Sequence, residues 1–96
     1  MEGVTITSID NGESGEYRAH VEGSDHVGRL TWVLRNGARV AEHTLVPKAI
    51  GGRGIAGMLV EALVEDARAK HFRIVPQCFY VAARFEKNPD WTDLRA

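Results

Sequence analysis

The chain has 96 residues, a formal net charge of -1 and 44% apolar residues, which fits one globular domain, residues 1–96, with an ordinary mixed surface. Its basic and acidic residues are interspersed, so the sequence lacks the clustered basic surface of a nucleic-acid-binding protein. The single cysteine excludes an intramolecular disulfide, and no apolar run approaches the ~20 residues that a membrane helix needs.

The N-terminal segment, residues 1–5, has neither a basic region nor an apolar run. We therefore expect no signal peptide. A lone thiol suits a reducing compartment, and we expect a soluble, cytoplasmic protein. The four histidines are scattered without metal-ligand spacing, so we expect no metal site.

The first half of the chain has the two-residue period of half-buried strands. The segments with this period are residues 4–9, 16–22, 28–35 and 38–46. Asn36 and Gly37 readily adopt the positive φ angles of a two-residue hairpin turn, and Pro47 has no N–H with which to extend the last strand. This pattern predicts an antiparallel meander of three strands, with residues 4–9 forming either a fourth strand or an ordered tail.

The second half changes to helical spacing. Apolar residues recur every three or four positions from residue 55, which predicts a helix that ends near residues 70–71. Residues 72–75 predict another strand, and residues 79–86 predict a short second helix. The element order therefore predicts a mixed α/β domain, an antiparallel meander followed by strand, glycine loop, helix, strand and helix.

The glycine-rich segment, residues 46–56, joins the fourth predicted strand to the long helix. The first N–H groups of a helix have no internal partners and lie at the positive end of its dipole. Glycines there allow a phosphate to approach the backbone, although a simple connecting turn would have the same composition. The segment lacks the Gly-Lys-Ser or Gly-Lys-Thr of a Walker loop, and the antiparallel strands before it disfavour a Rossmann loop.

At this segment the sequence resembles the acetyl-CoA site of the GNAT N-acetyltransferase superfamily, and more narrowly its small single-domain branch of predicted acetyltransferases. The segments that carry the resemblance are residues 42–47, 52–56, 59–60, 75–81 and 89–94. They occur in the expected order and extend the resemblance over about residues 16–94. It implies a minimal GNAT-like fold with acetyl-CoA as the acyl donor.

The resemblance also implies which residues bind the cofactor. Backbone groups before the loop would bind the pantetheine arm, the loop amides would bind the pyrophosphate, and a polar residue after the last helix would lie near the CoA arm. The corresponding residues are Leu45, Val46, Gly51, Gly52, Arg53, Gly54, Ile55, Ala56 and Asn88. Gly51 departs from the family pattern, which begins the loop with Gln or Arg, and Arg53 is a candidate to replace the missing charge. Asn88 could alternatively form only the turn that ends the helix.

Four side chains are candidates for the chemistry. Cys78 is predicted at a helix start, where a lowered pKa favours a nucleophilic thiolate, although a free cysteine is also often a small buried residue. Glu42 or His43 would act as a general base, or His43 would be a hydrogen-bonded structural residue. Tyr80 could protonate the departing CoA thiolate, but the family's tyrosine lies further along the last helix, so we expect Tyr80 to pack in the core.

The resemblance implies an N-acetyltransferase that transfers the acetyl group of acetyl-CoA to an unidentified amine, on a small molecule or a protein. The alternative is a non-catalytic module that binds or senses acyl-CoA, which Gly51 and the lack of the family's tyrosine further along the last helix favour. A third interpretation is a structural partner domain whose glycine loop is only a turn. We expect a monomer or homodimer with neither a nucleic-acid nor a membrane partner.

Overall fold

The predicted meander has four strands in the computed structural model of the protein, which describes residues 3–96. The strands are β1 (Val4–Asp10), β2 (Ser14–Val21), β3 (Val27–Arg35) and β4 (Ala38–Leu45), each antiparallel to the next. The N-terminal segment predicted as a strand or tail is therefore a strand. Met1 and Glu2, part of the segment in which no signal peptide is expected, lie outside the described residues.

The turn between β3 and β4 has the geometry expected from its sequence. Asn36 has a φ of 51° and Gly37 a φ of 78°. Two positive φ angles define the hairpin turn whose twist matches that of the flanking strands. The pairing of Arg35 with Ala38 directly beside the turn follows from this match.

The second half contains α1 (Ile55–Lys70), β5 (Arg73–Pro76) and α2 (Phe79–Lys87). β5 is parallel to β4 and completes a five-stranded sheet in the order β1-β2-β3-β4-β5. The predicted mixed α/β fold and its element order are confirmed. Two short 3-10 helices, Lys48–Ile50 and Pro89–Leu94, were not predicted, because one or two turns contain too few residues to show a period. Neither α-helix in residues 3–96 combines the length and apolarity needed to cross a membrane.

One face of the sheet supports the core. In β2, Tyr17 and Ala19 are buried, whereas the intervening Arg18 belongs to the opposite face. α1 packs across β1 to β4, and α2 packs on β4 and β5 beside the first turn of α1. Trp91 of the C-terminal 3-10 helix contacts Phe85 of α2 edge-on, with the ring centroids 5.4 Å apart, so the end of the chain joins the same core.

A buried arginine lies between the sheet and the C-terminal end of α1. Arg39 is only 8% exposed, and its guanidinium lies 3.8 Å from the centroid of the Trp32 ring and 4.0 Å from that of the Phe72 ring. Stacking between two aromatic faces suits a planar, weakly hydrated cation better than it would suit a lysine ammonium. The side chain therefore fills a core position while it remains charged.

Arg39 is also hydrogen-bonded to three other elements. It donates to the Tyr17 hydroxyl at 3.0 Å, to an Asp66 carboxylate oxygen at 3.3 Å and to an Asp10 carboxylate oxygen at 2.9 Å. Tyr17 in turn donates to Asp66 at 2.7 Å. These contacts join β4 to β1, β2 and α1 and provide the partners that a buried charge requires.

This network predicts a pH dependence of stability. Burial and the neighbouring Asp66 carboxylate raise the pKa of Tyr17. Its contribution to the free energy of unfolding is therefore present below about pH 10 and is lost at higher pH. Burial raises the pKa of Asp66, but hydrogen bonds from Tyr17 and Lys70 outweigh it and lower the pKa overall. The contribution of Asp66 is therefore present above about pH 4 and is lost as the pH falls.

Thermal unfolding between about pH 3 and about pH 11 tests this expectation. Asp66→Asn should lower the free energy of unfolding at neutral pH by about 1–3 kcal/mol and flatten the acid limb of the curve of stability against pH. Tyr17→Phe should flatten the alkaline limb of the same curve. Asp25→Asn, at an exposed position, is the control and should change neither limb. An acid limb in Asp66→Asn as steep as that of the unaltered protein would contradict the assignment.

Candidate functional site

The site is built where β4 and β5 stop pairing. Their parallel register begins with Ala38 opposite Arg73 and ends with Ala41 opposite Pro76. Proline has no N–H, so it cannot extend the ladder. β4 continues along β3 as far as Leu45, so among residues 3–96 no strand pairs with the β5 side of residues 42–45.

A β-bulge lies at the same point of β4. Trp32 of β3 pairs with Ala41, whereas the preceding residue, Thr31, pairs with His43, so Glu42 is an extra residue in β4. A bulge bends its strand and increases the local twist. The bulge and Pro76 thus act at the same level of the sheet to separate the ends of β4 and β5.

The separated strand ends border an open cleft of about 500 Å³. Its walls come from the end of β4 and from the β5–α2 connection with the start of α2. The lining residues are Glu42, His43, Thr44, Leu45, Gln77, Cys78, Phe79 and Tyr80. The structure therefore brings together all four predicted catalytic candidates and one of the predicted cofactor-binding residues, Leu45.

Cys78 is fixed at the inner end of this cleft as the N-cap residue of α2. Its backbone N–H donates to the carbonyl oxygen of Ala41 at 2.9 Å, and its sulfur lies 3.5 Å from the Thr44 hydroxyl oxygen. Burial raises the pKa of the Cys78 thiol, but hydrogen bonds from the Thr44 side chain and from the backbone N–H groups of Val81 and Tyr80 outweigh burial. The pKa is lower than that of an ordinary cysteine, as predicted for a thiol at a helix start.

The glycine loop leads into the N-terminus of α1. Gly54, the N-cap residue, has a φ of 73°, and Gly52 has a φ of 75°, a conformation that favours glycine. The first helical hydrogen bond runs from the Met58 N–H to the Gly54 carbonyl at 3.1 Å, so the N–H groups of residues 55–57 lie outside the helical ladder. Ile55 is buried and anchors the helix, whereas residues 51–54 are exposed.

The predicted placement of Tyr80 in the core is wrong. Its side chain is 39% exposed and lines the cleft. The buried side of α2 is formed by Val81 and Phe85. Because successive helical residues are about 100° apart, Tyr80 points away from that side. Tyr80 packs instead over Gly57 in the first turn of α1, where an added Cβ would lie 3.4 Å from the tyrosine hydroxyl. A glycine inside a helical pattern was the available sequence signal for this close helix–helix contact.

Other predicted cofactor-binding residues lie outside the cleft lining. Asn88 follows α2, at the end of the helix away from Cys78, and its amide donates to the Arg84 carbonyl at 2.8 Å. This bond is what a helix-ending turn requires, and Asn88 lies about 12 Å along the helix axis from Tyr80, the last residue of α2 that lines the cleft. Val46 packs partly against the core, and Arg53 is exposed in the glycine loop.

Comparison with known proteins identifies the family of the chain. The family described as GCN5-related N-acetyl-transferase matches the chain over residues 16–94, from β2 to the C-terminal 3-10 helix. The match confirms the resemblance inferred from the sequence and supports acetyltransferase activity in general. A search of curated proteins found no significant match.

The Thr44–Cys78 contact predicts how the thiol reacts. Thr44→Val removes the hydroxyl that stabilises the thiolate, so the pKa of Cys78 should rise and alkylation by iodoacetamide at neutral pH should slow by a factor of about 2–10. The measurement is the alkylation rate as a function of pH, followed by mass spectrometry of the intact protein. Thr7→Val, on β1, is the matched control. Equal rates in Thr44→Val and the unaltered protein would show that the hydroxyl does not act on the thiol.

Proposed function

We propose that this chain, which belongs to the GCN5-related N-acetyltransferase family, binds acetyl-CoA and transfers the acetyl group to an amine. The observation that carries the proposal is the separation of β4 from β5 beside the N-terminus of α1, which no side chain of the described residues caps. An extended thioester arm can enter between separated strands, and a phosphate can bind at such a helix end.

The pyrophosphate would bind at the start of α1. The N–H groups of residues 55–57 lie outside the helical ladder, and no atom of residues 3–96 lies within 4 Å of the position that a Cβ would take on Gly52 or Gly54. A phosphate can therefore approach the loop backbone without meeting a side chain at these two positions. The dipole of the 16-residue α1 favours negative charge there, and the exposed Arg53 provides a nearby cation.

The pantetheine arm would lie along the free edge of β4. Residues 42–45 lack a partner on the β5 side, so backbone donors and acceptors there are available to the amides of the arm. Leu45 is at the end of this edge, and Val46 leads from it towards the glycine loop. The arm would thus run from the loop into the cleft and place the thioester near Cys78.

In direct transfer, the amine nitrogen attacks the thioester carbonyl carbon. Backbone N–H groups at the strand edge stabilise the resulting oxyanion, and the carbon–sulfur bond then breaks to release CoA thiolate. The attacking amine must lose a proton, and Glu42 and His43, both in the cleft lining, are the candidate bases. Tyr80, also in the lining, is the candidate to protonate the departing thiolate.

Cys78 offers a two-step route. Its thiolate would attack the same carbonyl carbon and release CoA thiolate, and the amine would then attack acetyl-Cys78 and regenerate the thiol. The lowered pKa of Cys78 supports this route. An acetyl adduct on Cys78 after mixing with acetyl-CoA, found by mass spectrometry and absent from Cys78→Ala, would distinguish it from direct transfer.

Binding of acetyl-CoA should stabilise the fold. At 100 times its dissociation constant the ligand adds ~2.7 kcal/mol to the free energy of unfolding, which raises the melting temperature of a domain of this size by several degrees. ATP should not raise it.

Gly54→Ala places a side chain at the phosphate site and should weaken acetyl-CoA affinity at least about tenfold.

Gly23→Ala is the matched control for Gly54→Ala. Gly23 has a φ of 80° in the turn after β2, and nothing in the described part of the chain lies within 4 Å of its added Cβ. Both glycines have a positive φ, so alanine is strained at either position, but only Gly54→Ala should change acetyl-CoA affinity. No thermal shift with acetyl-CoA in the unaltered protein would overturn cofactor binding. Binding without measurable CoA release in the presence of amines would favour the non-catalytic module.

Gly51 permits a test in the opposite direction. Its φ is -73° and its ψ is 169°, an extended conformation that any residue adopts, and an added Cβ would lie 3.4 Å from the Lys48 carbonyl oxygen. Gly51→Arg restores the side chain usual at this place in the family and adds a charged donor, so acetyl-CoA affinity should rise by up to about tenfold. The measurement is isothermal titration calorimetry with acetyl-CoA. Unchanged affinity would place the phosphates away from this loop.

A further inference from the structure

Exposed apolar side chains are concentrated at the cleft. The large hydrophobic residues that residues 3–96 leave exposed are Leu34, Leu45, Phe79 and Tyr80. Three of these four line the cleft, and Phe79 is 94% exposed, so almost none of its surface is covered by the described part of the chain. Apolar surface gathered around a concave site indicates that a ligand covers it.

Phe79 and Tyr80 lie on different sides of α2. Successive helical residues are about 100° apart, and Phe79 lies about 160° around the helix from the buried Val81. Tyr80 faces α1 and packs over Gly57 in its first turn. If the phosphates of the cofactor bind at the N-terminus of α1, the cofactor approaches on the Tyr80 side. The side bordered by Phe79 is then left for the second substrate.

The charge of the cleft restricts that substrate. Glu42 is the one carboxylate among the eight lining residues, and none of the eight is lysine or arginine. A protonated amine is attracted to such a site, whereas an acceptor with phosphate or carboxylate groups gains no cationic partner there. Phe79 can bury apolar surface and can also place its ring face against a cation.

We propose, on the basis of the function proposed above, that the acceptor is a primary amine carried on an apolar, preferably aromatic, group, and that Phe79 determines this specificity. The amine would lie near Glu42 or His43, within reach of the thioester. The apolar group would cover Phe79 and Leu45, which line the same cleft. Polyamines, whose short methylene runs end in further charged amines, and amino sugars, whose rings carry hydroxyl groups, would be poor acceptors.

The test compares two small amines, phenethylamine and methoxyethylamine, by measuring CoA release at saturating acetyl-CoA. The ratio of their kcat/KM values should favour phenethylamine by at least about tenfold, since burial of one phenyl group on Phe79 is sufficient for that preference. Phe79→Ala should lower this ratio about tenfold, mainly by raising the Michaelis constant for phenethylamine, and Phe79→Leu should restore part of it. Leu34→Ala removes exposed apolar surface outside the cleft and should leave the ratio unchanged.

Equal kcat/KM values for the two amines, or a ratio unaffected by Phe79→Ala, would overturn this inference while leaving acetyl transfer intact. Direct binding of phenethylamine, measured by NMR with and without CoA, separates this failure from a failure of the proposed function. If the protein binds phenethylamine in a Phe79-dependent way but does not bind acetyl-CoA, the proposed acetyltransferase activity is refuted. The proposed amine specificity of the cleft is then retained. Absence of amine binding in every state would refute the inference itself.

Discussion

The loss of pairing between β4 and β5 is the constraint on which the candidate site depends. A parallel pair would normally continue as far as both strands extend, and continued pairing would close the space that the cleft occupies. Pro76 removes the donor needed to extend β5, and the extra residue Glu42 bends β4 at the same level. Cys78 then donates its N–H to Ala41, which fixes the start of α2 directly beyond the last paired residues.

The rest of the fold holds the two sides of this opening in place. α1 must keep its N-terminus beside the cleft, and at its other end the Asp66 carboxylate is bonded to Arg39 of β4 and Tyr17 of β2. Near the cleft, Gly57 allows Tyr80 to pack closely, so α1 and α2 keep a short separation. A small domain has little core with which to position a site, and these polar and close-packed contacts provide the additional restraint.

Periodicity and turn chemistry were sufficient to predict the fold, whereas the cofactor-binding residues follow from the resemblance to the GNAT superfamily and stay predictions. The alternating strands, the Asn36–Gly37 turn and the extents of both helices depend on local patterns that the structure reproduces within about two residues. Cys78 was recognised because a thiol between a predicted strand and a predicted helix lies at a helix start. Each of these inferences needed only neighbouring residues in the chain.

Features that depend on contacts between distant segments were not predictable in this way. The environment of Tyr80 follows from its contact with Gly57, and the bulge at Glu42 is defined by the register with β3.

The most direct test of cofactor binding between β4 and β5 is a titration of the uniformly ¹⁵N-labelled protein with acetyl-CoA, followed by amide chemical shifts. The largest changes should occur in residues 52–56 and at Leu45 and Cys78. Changes confined to other parts of the sheet, or no changes, would show that the opening between β4 and β5 does not bind the cofactor.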